Sequence, residues 1–154
     1  MKKAICILLC IFLLTGCSGK ADVMPHEKDP TSIVPESQGK AWMELTESTL
    51  APSGMEYTVH NDGGQYLTYG EDFTLQVEDN GNWYELIANT SENFAFSAIG
   101  YELDGVISTE KTQDLNWTNI YGELLPGHYR LVKNMLQGYN EISLTLEFEI
   151  KGQQ

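Results

Sequence analysis

The chain has 154 residues, which suits one domain with an additional segment and leaves little room for a second core. Its 9 Lys and Arg against 22 Asp and Glu give a formal net charge of -13, which repels a nucleic-acid backbone. With 42% hydrophobic residues a packed fold is expected, and 14 Gly and 8 Tyr favour sheet and turns over helix. The composition therefore excludes nucleic acid as a partner.

The first residues have the pattern of an export signal. Lys2 and Lys3 precede an apolar run from Ala4 to Leu14, and small residues follow that run. A helix that spans a bilayer needs about 20 apolar residues, so this run is too short for a stable span. The sequence predicts a signal peptide over residues 1–16, which is removed on export.

The end of this signal carries a recognisable motif. Leu14, Thr15, Gly16 and Cys17 resemble the lipobox of bacterial lipoproteins, in which the cysteine sulfur receives a diacylglycerol and the signal is cut just before it. The resemblance implies that Cys17 is the lipid-attachment residue and the first residue of the mature protein. Two or three acyl chains would anchor it stably at the extracytoplasmic face of the cell membrane. The alternative is a simple secretory signal with an incidental cysteine.

All three cysteines lie before the predicted domain. Cys6 and Cys10 belong to the signal, and Cys17 is assigned to the lipid, so the exported domain has no cysteine left for an internal disulfide. We therefore expect the fold to be held by packing alone.

Residues 17–40 are predicted to form a flexible linker behind the anchor. They contain three of the five prolines and almost no apolar periodicity. As a flexible coil this segment would reach about 25–30 Å. The predicted organisation is thus a signal, a lipidated linker, and one domain over residues 41–154.

Apolar and polar residues alternate in the predicted domain. The clearest case runs from Ile142 to Ile150, where one face is apolar and the other carries Glu, Ser and Thr. A helix would scatter these residues around its axis, so the pattern predicts a strand. Clear or weaker alternation also predicts strands at residues 42–48, 55–59, 73–77, 83–87, 94–98, 99–103, 109–117 and 129–135.

Turn residues separate these strands. Asn, Asp and Gly at residues 61–64 and 79–82 predict two tight hairpins, because these residues accept positive φ. Pro-Gly and Pro-Ser-Gly sequences mark turns at residues 126–127 and 52–54. Seven to eight short antiparallel strands without a long amphipathic helix predict an all-β, two-sheet sandwich.

The segment from residue 124 to residue 132 resembles the entry to strand F of an immunoglobulin-like sandwich. In that fold a tyrosine at the start of the strand bonds back to upstream backbone, which is called a tyrosine corner. The resemblance implies this structural role for Tyr129.

The ordered motifs of the domain resemble those of bacterial immunoglobulin-like domains in exported lipoproteins. The resemblance covers roughly residues 42–150 and implies an immunoglobulin-like sandwich without the cysteine pair, or the tryptophan packed against it, of antibody domains. Apolar contact is therefore expected to join the sheets. The motifs are Tyr69-Gly70, Trp83 to Leu86, Ala98 to Tyr101, Trp117, Tyr121-Gly122 and Pro126 to Arg130.

The sequence offers few groups for catalysis. His26, His60 and His128 have no metal-ligand spacing, and the serines lack a Gly-x-Ser-x-Gly context. No enzymatic activity, metal or cofactor other than the covalent lipid on Cys17 is therefore expected.

Two clusters have alternative interpretations. The carboxylates suit either ordinary solvation or a weak Ca²⁺ site, although the spacing of a calcium loop is missing. The aromatic residues suit either the sandwich core or a stacking platform for glycans or peptides. The carboxylates are Asp62, Glu71, Asp72, Glu78 and Asp79, and the aromatics are Trp83, Tyr84, Tyr101, Trp117, Tyr121 and Tyr129.

These observations predict a membrane-anchored lipoprotein whose immunoglobulin-like domain is a non-catalytic binding or structural module. Its partners would be the membrane, through the lipid, and an envelope protein, peptide or glycan. One alternative is an inhibitor of an exported protease, presenting the loops at residues 61–64, 89–93 and 137–140. Another is a sensor of a cell-wall or antibiotic ligand.

Overall fold

Alternating apolar and polar residues build strands through most of the domain. The computed structural model describes residues 40–88 and 94–152, and these residues contain nine strands, one 3₁₀ turn and one short helix. The predicted signal, Cys17 and almost all of the linker lie outside the described residues. In chain order the elements are β1 (Ala41–Leu45), the 3₁₀ turn (Glu47–Thr49), β2 (Gly54–Asn61), β3 (Leu67–Gly70), β4 (Thr74–Asp79), β5 (Asn82–Glu85), β6 (Gly100–Leu103), β7 (Glu110–Asn116), α1 (Thr118–Tyr121), β8 (Gly127–Gln137) and β9 (Asn140–Ile150).

Two antiparallel sheets form the sandwich. The smaller sheet has the order β1-β2-β7, and the larger has the order β5-β4-β8-β3-β6 with β9 paired to β8. β9 pairs with β8 along its whole length, so β3 and β4 share the opposite edge of β8. The prediction of an all-β, two-sheet sandwich is therefore confirmed.

β3 and β4 act as one long strand with a break in the middle. β3 pairs with Met135–Gln137 of β8 and β4 pairs with Tyr129–Val132, so Lys133 and Asn134 lie opposite the break. β5 continues the sheet beyond β4, and β6 continues it beyond β3. The break thus divides the outer part of the sheet into two halves.

Several predicted elements agree with the structure. The C-terminal alternation forms β9, where Leu144, Phe148 and Ile150 are buried. Residues 79–82 close the β4–β5 hairpin, and Asn80 and Gly81 have φ values of 52° and 78°. Both residues therefore occupy the left-handed region that such a hairpin requires.

The predicted hairpin at residues 61–64 is wrong. β2 belongs to the smaller sheet and β3 to the larger sheet, so this turn crosses between sheets. The buried Asn61 side chain holds the crossing, because its Nδ2 donates to the carbonyls of Gln65 at 2.7 Å and Leu103 at 3.0 Å. A side chain supplies hydrogen bonds that a hairpin ladder would otherwise provide.

The predicted strand at residues 94–98 is also wrong, because these residues lie outside every strand. Phe94 and Phe96 pack edge to face with ring centroids 5.0 Å apart, and Phe96 packs on Phe73 at 5.4 Å. Their alternation therefore reflects an aromatic cluster. The four-residue β3 carried too short a pattern to be predicted separately, and the described residues contain nine strands instead of seven to eight.

Three stacked aromatic rings lie between the two sheets, and the contact of Trp117 with Phe148 joins one sheet to the other. Trp117, which directly follows β7, stacks on Phe148 of β9 at 5.5 Å, and Phe148 stacks on Tyr129 of β8 at 5.8 Å. All three side chains are buried, and the Trp117 Nε1 donates to the Pro52 carbonyl at 2.7 Å. The contact between sheets is apolar as expected, but a tryptophan lies at its centre, which the sequence comparison with antibody domains did not anticipate.

Candidate functional site

A groove crosses the outer face of the larger sheet, in the half that contains β3 and β6. Its first row contains Ser143, Asn134, Gly70 and Gly100. Ser143 pairs with Asn134 and Gly70 pairs with Gly100, while Gly70 directly follows Tyr69, the last β3 residue that pairs with β8. Because two of these residues are glycines, the sheet carries no side chain at that end of the row. The groove has a volume of about 900 Å³.

Gly100 determines the depth of this groove. It lies on the exposed face of β6, and a Cβ atom built there would meet no atom within 4 Å. At the paired Gly70 a Cβ would lie 2.5 Å from an Asp72 carboxylate oxygen, so the Asp72 side chain would have to move to admit a larger residue. The open space at Gly100 is therefore available to a ligand.

The second row of the groove carries its charge. Glu141, Leu136, Thr68 and Glu102 lie side by side on β9, β8, β3 and β6. Neighbouring strands are about 4.8 Å apart, so the Cα atoms of the two glutamates are about 14 Å apart at opposite rims. Leu136 is half exposed between them. The arrangement suits an extended ligand with positive groups and a small apolar contact.

Small polar side chains supply hydrogen bonds within the groove. The Ser143 hydroxyl donates to the Asn134 side-chain oxygen at 2.7 Å, which leaves the Asn134 amide nitrogen to face a ligand. The Thr68 hydroxyl lies 3.5 Å from the Leu136 carbonyl, which makes at most a weak bond. These groups can donate to and accept from a peptide or a sugar.

A buried lysine lies beneath the groove, in the break between β3 and β4. The Lys133 ammonium donates to the carbonyls of Gly70 at 2.9 Å and Asp72 at 2.8 Å, and it lies 5.7 Å from the centre of the Tyr69 ring. Both carbonyls lie at the break, where β3 ends at Gly70 and β4 has not yet begun. Lys133 therefore fixes the backbone between β3 and β4, which includes Gly70 at the floor of the groove.

The environment of Lys133 is poor in water. Burial lowers the pKa of Lys133 to about 8, while the nearby Asp72 and Glu71 carboxylates act in the opposite direction. Burial also disfavours the charged form of Tyr69 and so raises its pKa, and the neighbouring Tyr101 raises it further. The Tyr69 hydroxyl is buried and has no hydrogen-bond partner among the described residues.

Tyr129, the predicted tyrosine corner, lies at the start of β8. Its hydroxyl donates to the Leu125 carbonyl at 2.8 Å, and burial raises the pKa of Tyr129. This is the upstream backbone contact that the predicted role requires. Cys17, the predicted lipid-attachment residue, lies outside the described residues.

The two described histidines lie far from each other on opposite ends of the sandwich. His60 stacks on Trp42 at 4.7 Å, and its ring nitrogens lie 3.2 Å from a Glu44 oxygen and 3.6 Å from a Glu110 oxygen. His128 contacts Glu78 and Glu147 beside Trp83. Each histidine bridges strands through carboxylates. His26 lies outside the described residues.

The carboxylates considered for calcium do not converge. Asp62 lies at the end of the sandwich where β2 finishes, whereas Glu78 and Asp79 lie at the tip of the β4–β5 hairpin. Glu71 accepts a hydrogen bond from the Tyr101 hydroxyl at 3.1 Å. Within residues 40–88 and 94–152, no three His, Cys, Asp or Glu side chains are placed to hold a metal ion.

The six aromatic residues considered as a platform are mostly internal. Trp117 and Tyr129 belong to the core, and Tyr101 and Tyr121 pack against it. Trp83 lies under the Arg130 guanidinium, whose carbon is 4.4 Å from the ring centre. The most exposed tyrosines are others, Tyr66 and Tyr139.

Two of the three loops of the inhibitor hypothesis come together. Residues 61–64 lie beside the β8–β9 hairpin, and the Gly138 nitrogen donates to the Tyr66 carbonyl at 2.8 Å. The third predicted loop, at residues 89–93, lies outside the described residues. A different loop, between β6 and β7, lies beside the loops at residues 61–64 and 137–140, because Gly105 closely approaches Gly64.

The fold is an immunoglobulin-like sandwich in which the sheet of β1, β2 and β7 faces the sheet of β3, β4, β5, β6, β8 and β9. The sequence matches the family model of the bacterial Ig-like domain over residues 37–149. The chain therefore belongs to the bacterial Ig-like domain family. Comparisons with curated proteins and with solved structures gave no match.

Helices contribute little to the described segments, and none there is both long and apolar enough to cross a bilayer. The family and fold support a binding or structural module.

Neither the groove nor the buried Lys133 was predicted from the sequence. Lys133 interrupts the inward alternation of Leu131 and Met135 on β8, and a charged residue at an inward position signals a buried partner. The groove depends on Gly70 meeting Gly100, and no local pattern reveals which distant strands pair.

We predict that Lys133 makes the stability of the protein rise with pH between about 8 and 9, below the range in which the buried tyrosines oppose it. The unfolded lysine titrates near 10.4, so in this range the unfolded chain binds more protons than the folded chain. Raising the pH therefore favours folding, and Lys133→Met removes this contribution. Urea unfolding at several pH values measures the effect.

Lys151→Met, which removes an exposed lysine, is the matched control and should keep the wild-type pH dependence. The account of Lys133 is contradicted if Lys133→Met and wild type show the same slope of unfolding free energy against pH.

Proposed function

We propose that this protein is an extracytoplasmic lipoprotein, anchored through Cys17, whose immunoglobulin-like domain binds an extended ligand without catalysis. The observation that carries the binding role is the groove over Gly70 and Gly100, with its two carboxylates at opposite rims. The domain boundaries are proposed as predicted, with residues 1–16 as signal, 17–40 as linker and 41–154 as the domain.

The chemistry of the groove favours a ligand with amino groups. Glu102 and Glu141 attract positive charge, and the formal net charge of -13 strengthens this preference at long range. Asn134, Ser143 and Thr68 offer neutral hydrogen-bonding groups between the carboxylates. An amine-bearing peptide or glycan of the cell envelope has both positive charge and hydrogen-bonding groups. A sensor of a cell-wall ligand would use the same groove.

The lipid anchor is supported by the sequence alone. Cys17 follows Leu14, Thr15 and Gly16 directly after a short apolar run with two lysines before it. The predicted acyl chains would keep the domain at the membrane while the linker lifts it from the headgroups.

We predict that Gly100→Tyr abolishes ligand binding without unfolding the domain. The added ring enters the open space of the groove, and tyrosine is favoured in strands. Thermal unfolding with oligomers of glucosamine and with short lysine-containing peptides provides the measurement. For the wild type, a binding probe at 100 times its Kd adds about 2.7 kcal/mol of stability.

Thr145→Tyr is the matched control, because Thr145 is exposed on the same sheet face but does not line the groove. It should keep the stabilisation that Gly100→Tyr loses. N-acetylated glucosamine oligomers test the role of the amines and should stabilise less. Equal stabilisation of Gly100→Tyr and wild type would remove the groove as the binding site.

We predict that Cys17→Ala releases the protein from membranes, because the variant lacks the sulfur that receives the lipid. Fractionation of cells into membrane and soluble parts measures the change. Cys6→Ala, within the predicted signal, should remain with the membranes. Retention of Cys17→Ala at the wild-type level would show that the anchor lies elsewhere.

A further inference from the structure

Three loops interlock at one end of the sandwich, which we call the loop end: residues 62–66, 104–109 and 138–139. The Asn61 side chain joins the first two loops through the Gln65 and Leu103 carbonyls. The first and third loops meet through the hydrogen bond from Gly138 to Tyr66. The loop end is therefore one continuous surface.

The loop end exposes large apolar side chains. Val106 is 74% exposed and Ile107 is 90% exposed, Tyr66 is more than half exposed, and Tyr139 is fully exposed. Single exposed apolar residues are common, but a cluster of four at one end of a small domain is typical of a contact surface.

The structure holds Val106 and Ile107 outward. One Asp104 carboxylate oxygen accepts hydrogen bonds from the backbone nitrogens of Val106, Ile107 and Ser108 at 2.8, 2.8 and 2.9 Å. Gly105 has a φ of 75° and packs against Gly64, where no Cβ would fit. The two aliphatic side chains are thus presented by an ordered turn, which lowers the entropy cost of a contact.

The chain enters the domain at the same end. The Lys40 carbonyl accepts a hydrogen bond from the Asp62 nitrogen at 2.8 Å, and Ala41 pairs with Asn61 at the start of β1. The C-terminal strand finishes at the opposite end, where Ile150 pairs with Gly127. A lipid on Cys17 would therefore be joined to the domain from the side of the loop end.

We infer that the loop end docks on the bilayer to which the lipid anchors the protein, with Val106 and Ile107 inserted and Tyr66 and Tyr139 at the headgroups. This inference rests on the proposed anchor at Cys17. Tyrosine is enriched at membrane interfaces, and aliphatic side chains favour the region beneath. A linker of this length holds the domain near the bilayer at an effective concentration on the order of millimolar, so weak docking suffices.

Charge selects the kind of bilayer. Asp62 and Asp104 lie in the loops of the loop end, and Glu102 and Glu141 lie close behind it. These carboxylates oppose an anionic surface, so docking is expected on zwitterionic headgroups and is weakened by anionic lipid. Docking would place the groove close to the membrane, because Leu136 lies one residue before the end of β8 and the turn at residues 138–139 follows.

An engineered cysteine tests the inference in the lipidated full chain. Ile107→Cys would carry the sole free thiol, because Cys17 holds the lipid and Cys6 and Cys10 leave with the signal. We label it with an environment-sensitive fluorophore in phosphatidylcholine vesicles that contain nitroxide-labelled lipid. The expected result is a blue-shifted emission that the nitroxide quenches, with a smaller shift when phosphatidylglycerol is added.

Lys151→Cys, labelled in the same way at the opposite end, is the control and should show neither the shift nor the quenching. Adding Tyr139→Asp to the Ile107→Cys protein should return the emission toward that of the control. If the Ile107 label disturbs folding, a label at Tyr139→Cys replaces it, because that residue is fully exposed.

The outcomes separate the two proposals. A chain that does not float with the vesicles overturns both the anchor and the docking. A chain that floats while its label at residue 107 matches the control at residue 151 keeps the anchor and overturns the docking. In that case the loop end is free for a protein partner, as the inhibitor hypothesis requires.

Discussion

Apolar contact between two sheets is the constraint on which this structure depends. The domain has no cysteine, so the stack of Trp117, Phe148 and Tyr129 takes the central position that a crosslink holds in other sandwiches. Each large aromatic ring buries about 150–250 Å², and loss of one typically costs about 3–5 kcal/mol. The stack also fixes the end of β7, because Trp117 bonds to Pro52.

The same packing positions the candidate site at the other half of the sheet. β9 pairs with one edge of β8, and the core packs on its inner face. The break between β3 and β4 lies along the other edge of β8. Lys133 satisfies the carbonyls of Gly70 and Asp72 at the break. The exposed face there consists of Gly70 beside Gly100, and a groove results. The buried ammonium group of Lys133 thus stabilises the backbone beneath the open groove on the outer face of the sheet.

Much of the fold could be predicted because it is local. The alternation of β9 and the Asn80-Gly81 turn each depend on neighbouring residues, and both predictions are confirmed. Predictions were wrong where distant contacts decide. The turn after Asn61 crosses between sheets, and Phe94 and Phe96 pack on Phe73, for reasons that the local pattern does not contain.

The candidate site was less predictable than the fold. Sequence motifs indicated Cys17, which is proposed to carry a lipid, and Tyr129, which makes a local backbone contact. The groove needs four strands in register, and the loop end needs three loops that are far apart in sequence. Both surfaces follow only from the topology. The proposed functions consequently place the ligand and the membrane at adjoining parts of one half of the domain.

Hydrogen exchange of the Trp117 indole tests the central claim most directly. Its Nε1 hydrogen is buried and bonded to the Pro52 carbonyl, and its ring packs on Phe148 of the larger sheet, so it should exchange only when the whole domain unfolds. The account predicts an opening free energy within about 1 kcal/mol of the urea unfolding value, while the 42% exposed Trp42 exchanges far faster. Exchange of Trp117 at the rate of Trp42 would contradict the claim that this stack holds the two sheets together.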